Sequence, residues 1–319
     1  MKLGVALAAL FIASCSGNVE SAANRNVVLV GSTACDAPIK SAVGIPAEAK
    51  CDFIRWNLAL DPTNANAFKL ELNYGEGQPN TLGFIGGGQK ISASGKVETI
   101  SRPRAEPPPG HPVSQTAAPS DRGGERGQEI YRLKSERPAV DISLLKLNEN
   151  LFQLLMPDGT MMIGNAGWSY TLNRSTPLPD AKAPAITFAR ENSTKAVRTV
   201  FEGRTPCSEI AGVFGTAIDA SCFKLKWRLT LYRDPTTLEP TTFTIESTFS
   251  RKDVVKGRWS IMKTASTDAT HYRLEPEAPA KSFSLLLAED NILFLLDSSE
   301  RPLVGNKDFS YTLNRRSDR

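Results

Sequence analysis

Most of this chain is written twice, and that duplication constrains its fold more than any other feature. Gly31-Ser32-Thr33-Ala34-Cys35 returns as Gly203-Arg204-Thr205-Pro206-Cys207, and Cys51, Trp56, Leu58 and Leu60 return as Cys222, Trp227, Leu229 and Leu231. Asp61-Pro62-Thr63 matches Asp234-Pro235-Thr236, and Tyr131-Arg132-Leu133 matches Tyr272-Arg273-Leu274. Asn150-Leu151-Phe152-Gln153-Leu154-Leu155 finds its partner in Asn291-Ile292-Leu293-Phe294-Leu295-Leu296. The ending Ser169-Tyr170-Thr171-Leu172-Asn173-Arg174 recurs letter for letter as Ser310-Tyr311-Thr312-Leu313-Asn314-Arg315. A period of about 150 residues is the size of a domain, so the repeat implies two homologous domains and not a solenoid of small units.

Within each copy the apolar residues alternate. Phe53, Arg55 and Asn57 face one way and Ile54, Trp56, Leu58 and Leu60 the other; Leu225, Trp227, Leu229 and Leu231 repeat the inner set. Further strands are expected over 68–74, 90–99, 129–134, 142–147, 151–156 and 168–174, each with a partner in the second copy. Polar breaks at Asn148-Glu149-Asn150, Pro157-Asp158-Gly159 and Ala288-Glu289-Asp290-Asn291 read as turns. Helical periodicity is absent beyond the N-terminal segment, except for a turn near 47–50. The expected fold is all-β, two tandem small antiparallel barrels of about eight strands each, an architecture without free edges.

The N-terminus carries Lys2, an uncharged apolar run from Leu3 to Ala13, and then Ser14-Cys15. That run is too short to span a membrane and has the make-up of a secretory signal. Ile12-Ala13-Ser14-Cys15 has the pattern of bacterial lipoprotein maturation, in which the cysteine thiol takes a diacylglycerol and becomes the first mature residue. Residues 1–14 are therefore read as the signal peptide and 15–25 as a lipidated tether. Two or three acyl chains anchor stably where one would not. Ser16, in place of an aspartate, favours the outer membrane with the protein facing the periplasm. The first domain is expected over 26–174, a linker over 175–198 with Pro177, Pro179 and Pro184, and the second domain over 199–316. An insertion at about 101–128, present only in the first copy and rich in Pro, Gly and charge, reads as a flexible loop between strands.

The 38 basic and 34 acidic residues are scattered along the chain, which is no nucleic-acid footprint. Apart from Cys15, four of the five cysteines remain, in an oxidising compartment. Three pairings are possible, and those that respect the repeat are Cys35 with Cys51 and Cys207 with Cys222. Catalytic chemistry has little to use. The two histidines are His111 in the insertion and His271, read as a surface residue at a strand end. Gly86-Gly87-Gly88-Gln89-Lys90 lacks the spacing of a phosphate-binding loop and reads as a glycine turn. Met156, Met161 and Met162 could offer thioethers to Cu(I), although packing is the better reading because the second copy has none there. No metal site, cofactor or catalytic residue is expected.

Several of these motifs together resemble the N-terminal domain of the NlpE family, here in duplicate. Domains of that type open on a Pro-Cys-x-x-Cys-x-Gly-Ile/Val segment, carry a central Gly-x-Trp, and end on a Leu-x-x-Leu-Asp-x-x-Gly turn followed by Tyr-x-Leu. The second copy has Pro206-Cys207, Ala211-Gly212-Val213, Gly257-Arg258-Trp259, Leu293 to Asp297 and Tyr311-Thr312-Leu313. The first has Cys35, Gly44-Ile45, Gly95-Lys96-Val97, Leu151 to Gly159 and Tyr170-Thr171-Leu172. The resemblance implies lipocalin-like barrels and a role in copper tolerance, surface sensing or envelope-stress signalling, with an envelope-stress sensor protein as a partner. The chain departs from the motif where the second cysteine would stand: Ile210 takes that place in the second copy, so a two-thiolate copper clamp is lost. The expected function is that of a non-catalytic, lipid-anchored envelope protein. The alternative is a lipocalin-like carrier of a small apolar ligand or lipid, with Trp56 and Trp227 lining its interior.

Overall fold

The computed structural model describes residues 27–61, 66–102, 128–179, 181, 196–210, 221–247, 254–263, 269–277 and 281–316. The signal segment, Cys15 and its whole tether, His111, and residues 103–127 of the insertion lie outside these.

Each copy is a closed antiparallel barrel of eight strands in which every strand pairs with the next and the last returns to the first. The first comprises β1 (Val27–Ala34), β2 (Phe53–Asp61), β3 (Ala67–Gly75), β4 (Gln89–Arg102), β5 (Gln128–Glu136), β6 (Ala139–Lys146), β7 (Leu151–Leu155) and β8 (Thr171–Arg174). The second comprises β9 (Arg198–Thr205), β10 (Leu225–Arg233), β11 (Pro240–Ser247), β12 (Val255–Lys263), β13 (Thr270–Pro276), β14 (Phe283–Ala288), β15 (Ile292–Leu295) and β16 (Thr312–Arg315). The register repeats with the sequence: Gly31 stands opposite Trp56 in one barrel and Gly203 opposite Trp227 in the other. Ile54, Trp56, Leu58 and Leu60 enter the first core; Leu225, Trp227, Leu229 and Leu231 enter the second. Both indoles spend their polar handle inside, donating from Nε1 to the hydroxyls of Thr33 and Thr205 at 2.9 Å.

The structure corrects three expectations. A helix α1 (Ala37–Ala42) follows Cys35. At six residues it is too short to show a helical period, and Pro38 is tolerated at its start because the first turn has unbonded N–H groups anyway. Ile39, followed by Val43 and Ile45, folds over the first core, and the Cys35–Cys51 disulfide holds that segment to the start of β2. The corresponding Cys207–Cys222 disulfide brings its Cα atoms to 6.0 Å. The strand expected at 168–174 begins only at Thr171, because Trp168 and Ser169 belong to the preceding loop. His271 is 8% exposed on β13 and not a surface residue. It points away from the core, which Tyr272 enters, and lies beneath Glu300, whose Oε2 is 4.0 Å from Nδ1.

β7, β14 and β15 are buried along their whole length. A barrel wall with one wet face should alternate, and a continuous apolar run implies cover on both faces. The cover is the other barrel. Leu145, Leu147, Leu151 and Leu155 meet Leu286, Ala288, Ile292 and Leu296 in one apolar cluster outside both cores.

Candidate functional site

The two barrels join through the outer faces of β6–β8 and β14–β16, and the contacts are reciprocal. Ser169 Oγ lies 2.6 Å from Ser310 Oγ, and Thr171 Oγ1 lies 3.0 Å from Thr312 Oγ1. Gly305 N–H donates to Asn173 Oδ1 at 2.8 Å while Gly164 N–H donates to Asn314 Oδ1 at 2.9 Å. Each pair joins a residue to its own counterpart, or a residue and a loop glycine to theirs, which is the signature of a two-fold, self-complementary interface inside one chain. Each loop turns so tightly that a Cβ on Gly164 would strike the Trp168 carbonyl oxygen of its own loop and one on Gly305 that of Phe309, while Asn314 and Asn173 crowd the two glycines from the opposite barrel.

Beside this axis the symmetry breaks, and chemically distinct groups collect. Four aromatic rings stack across the junction: Phe84 on Phe53 at 4.1 Å, Phe53 on Trp168 at 4.3 Å, and Trp168 on Phe309 at 5.6 Å. Two guanidinium groups lie over the stack, Arg55 by Phe53 and Phe84, and Arg204 5.7 Å from the Trp168 ring centre. Their surroundings differ. Arg55 donates to Asp308 Oδ1 at 2.7 Å and to the Leu82 carbonyl at 2.6 Å. Arg204 has no carboxylate partner among the described residues, and the buried Nε lacks an acceptor in both guanidinium groups. Burial lowers its pKa, and burial, then Arg204, then Lys226 lower that of Lys224 nearby. Arg204, Lys224, Asp52, Trp168 and Phe309 share a pocket of about 480 Å³. Sequence reading passed over Arg204 because its counterpart in the first copy is Ser32 and nothing local distinguishes it. The irregularity within the repeat was the available signal.

The residues singled out from sequence fall elsewhere. Cys15 lies outside the described residues. Cys35, Cys51, Cys207 and Cys222 are committed to disulfides. Ile210 is fully buried in the second core. Met161 faces the junction and Met162 the first core, so adjacent thioethers point to opposite sides of the wall. Among the described residues, no three His, Cys, Asp or Glu side chains gather as metal ligands would. Asp234 receives the backbone N–H groups of Thr237 and Thr236, which lower its pKa as expected of a turn residue. The glycine turn at 86–88 has left-handed φ at all three positions. A depression of about 1730 Å³ runs along β4–β6. It takes every residue from Ser94 to Ile100, which alternate between wall faces, so it is outer surface as much as interior.

Compared with known proteins, the chain matches no protein-family model, no curated protein and no solved structure.

Proposed function

We propose that this chain is a non-catalytic bacterial envelope lipoprotein of NlpE type, anchored through Cys15 in the outer membrane and acting in envelope-stress or surface sensing or in copper-related homeostasis. The observation that carries this reading is that each barrel interior is occupied by a continuous cluster of buried apolar side chains, with a disulfide pinning the segment after its first strand. A barrel filled in this way acts through its surface and through the state of its crosslinks. The carrier alternative loses the support it drew from Trp56 and Trp227, which are spent on packing and internal hydrogen bonds.

Lipidation is tested by labelled palmitate, which should enter the wild-type chain and not Cys15→Ser. An unlabelled wild-type chain would overturn the anchor. Sensing is tested with Cys35→Ser and Cys207→Ser variants and an envelope-stress reporter. Loosening either barrel should raise the reporter, and an unchanged reporter would remove the redox-dependent form of the proposal.

A further inference from the structure

The unpaired Arg204 belongs to a longer feature. On β9, Phe201 and Thr205 face the core, which leaves Arg198, Glu202 and Arg204 on the outer face. Arg228 stands opposite Glu202 on β10, Lys224 precedes that strand, and Arg315 and Arg316 close the row at the end of β16. Two pockets of about 510 and 480 Å³ run along this face and share Asn165 as a common wall. Between them they are lined by six cations and two carboxylates, Glu202 and Asp52. Glu202 is divided between Arg228 at 3.5 Å and Arg316 at 3.6 Å, and Asp52 accepts the Gly77 N–H at 2.7 Å. Positive charge is left over along the whole groove.

The repeat shows that packing does not require this charge. In the same register the first copy has Val30, Ser32, Asn57 and Phe53 where the second has Glu202, Arg204, Arg228 and Lys224. The first barrel closes and the junction forms with those neutral residues on its side. Holding cations in a partly desolvated groove costs stability: burial lowers the pKa of Arg204, and burial first, then Arg204 and Lys226, lower that of Lys224. An opposite charge arriving from outside would relieve it.

We propose that this groove binds an extended anion bearing more than one phosphate group, with Arg204 at its centre and Arg198 and Arg228 along its length. Guanidinium forks take phosphate oxygens two at a time, and from Arg198 to Arg204 an extended strand covers roughly 20 Å, longer than one phosphate. Phosphate groups in such a row come from a soluble phosphorylated chain or from the headgroups of an anionic bilayer.

The full chain carrying Cys15→Ser, which cannot bind a bilayer through acyl chains, is titrated with inorganic tripolyphosphate. It is titrated separately with phosphatidylcholine vesicles with and without phosphatidylglycerol. Tryptophan emission is followed, since Trp168 lies under Arg204. Saturable binding of tripolyphosphate, weakened about tenfold or more by Arg204→Gln and by Arg228→Gln, supports a soluble ligand. Binding confined to phosphatidylglycerol vesicles, with the same loss in the same variants, supports the site with headgroups as its source. Exposed Arg198→Gln gives the same reading should Arg204→Gln unfold, which circular dichroism would reveal. Absence of binding to either probe at low salt overturns the proposal. An equal loss from Arg132→Gln with Lys134→Gln, on the outer wall of the first barrel, also overturns it.

Discussion

Asn173 and Asn314 each hold the backbone N–H of a loop glycine in the opposite barrel, Gly305 and Gly164. Most neighbouring letters of the repeated hexapeptide are used as well, although the buried Tyr170 hydroxyl has no hydrogen-bond partner among the described residues. Serine and threonine meet their counterparts across the axis, leucine fills a core, and Tyr311 accepts the Glu209 N–H at 3.1 Å inside its barrel. Tyr170 lies against Asp36, where burial and then that carboxylate push its ionisation far up. Asn173→Ala should cost about 1–3 kcal/mol, since a glycine N–H at the junction loses its acceptor, and Asn314→Ala should cost a similar amount by symmetry; urea unfolding checks both. His271 gives a pH dependence. Burial lowers its pKa against a smaller opposing pull from Glu300, so the folded state favours the neutral ring. The stability tied to it is complete above the ordinary value of 6.5 and is lost as pH falls from there through the depressed folded pKa. His271→Gln should flatten the decline of the urea midpoint between about pH 7 and about pH 5.

At the scale of elements, strand positions were legible because alternation is a local property: β2, β3 and β10 lie where the inward apolar residues say they must. α1 was not legible, since six residues with one buried side chain display no period. The start of β8 was placed early because Trp168 and Ser169 are apolar and small as strand residues can be, yet they serve the junction loop. The disulfides close separations of 16 and 15 residues, for which the chain-entropy argument gives about 3 kcal/mol each. Replacing Cys35 and Cys51 together by serine should therefore lower stability by about that amount. Hydrogen exchange should show the loss of protection centred on β1, β2 and α1, with β9 and β10 little changed.

For the whole molecule, the shared cluster of Leu145, Leu151, Leu286, Ile292 and Phe294 makes each barrel part of the other's support. The intact chain should unfold in one calorimetric transition. Phe294→Arg, which places a charge in that cluster, should split it into two and leave the separated barrels folded. Read alone, the sequence determined that there are two copies of one domain, that they are β-barrels, where their inward residues lie and which cysteines the repeat pairs. All of these depend on periodicity within a copy or on identity between copies. That the copies pack wall to wall, that the repeated hexapeptide forms their two-fold seam, and that Arg204 stands uncompensated beside Trp168 were decided only by tertiary structure. The seam contacts join residues more than a hundred positions apart, Arg204 meets Trp168 from a different barrel, and no local pattern encodes which outer face of a closed barrel will be covered.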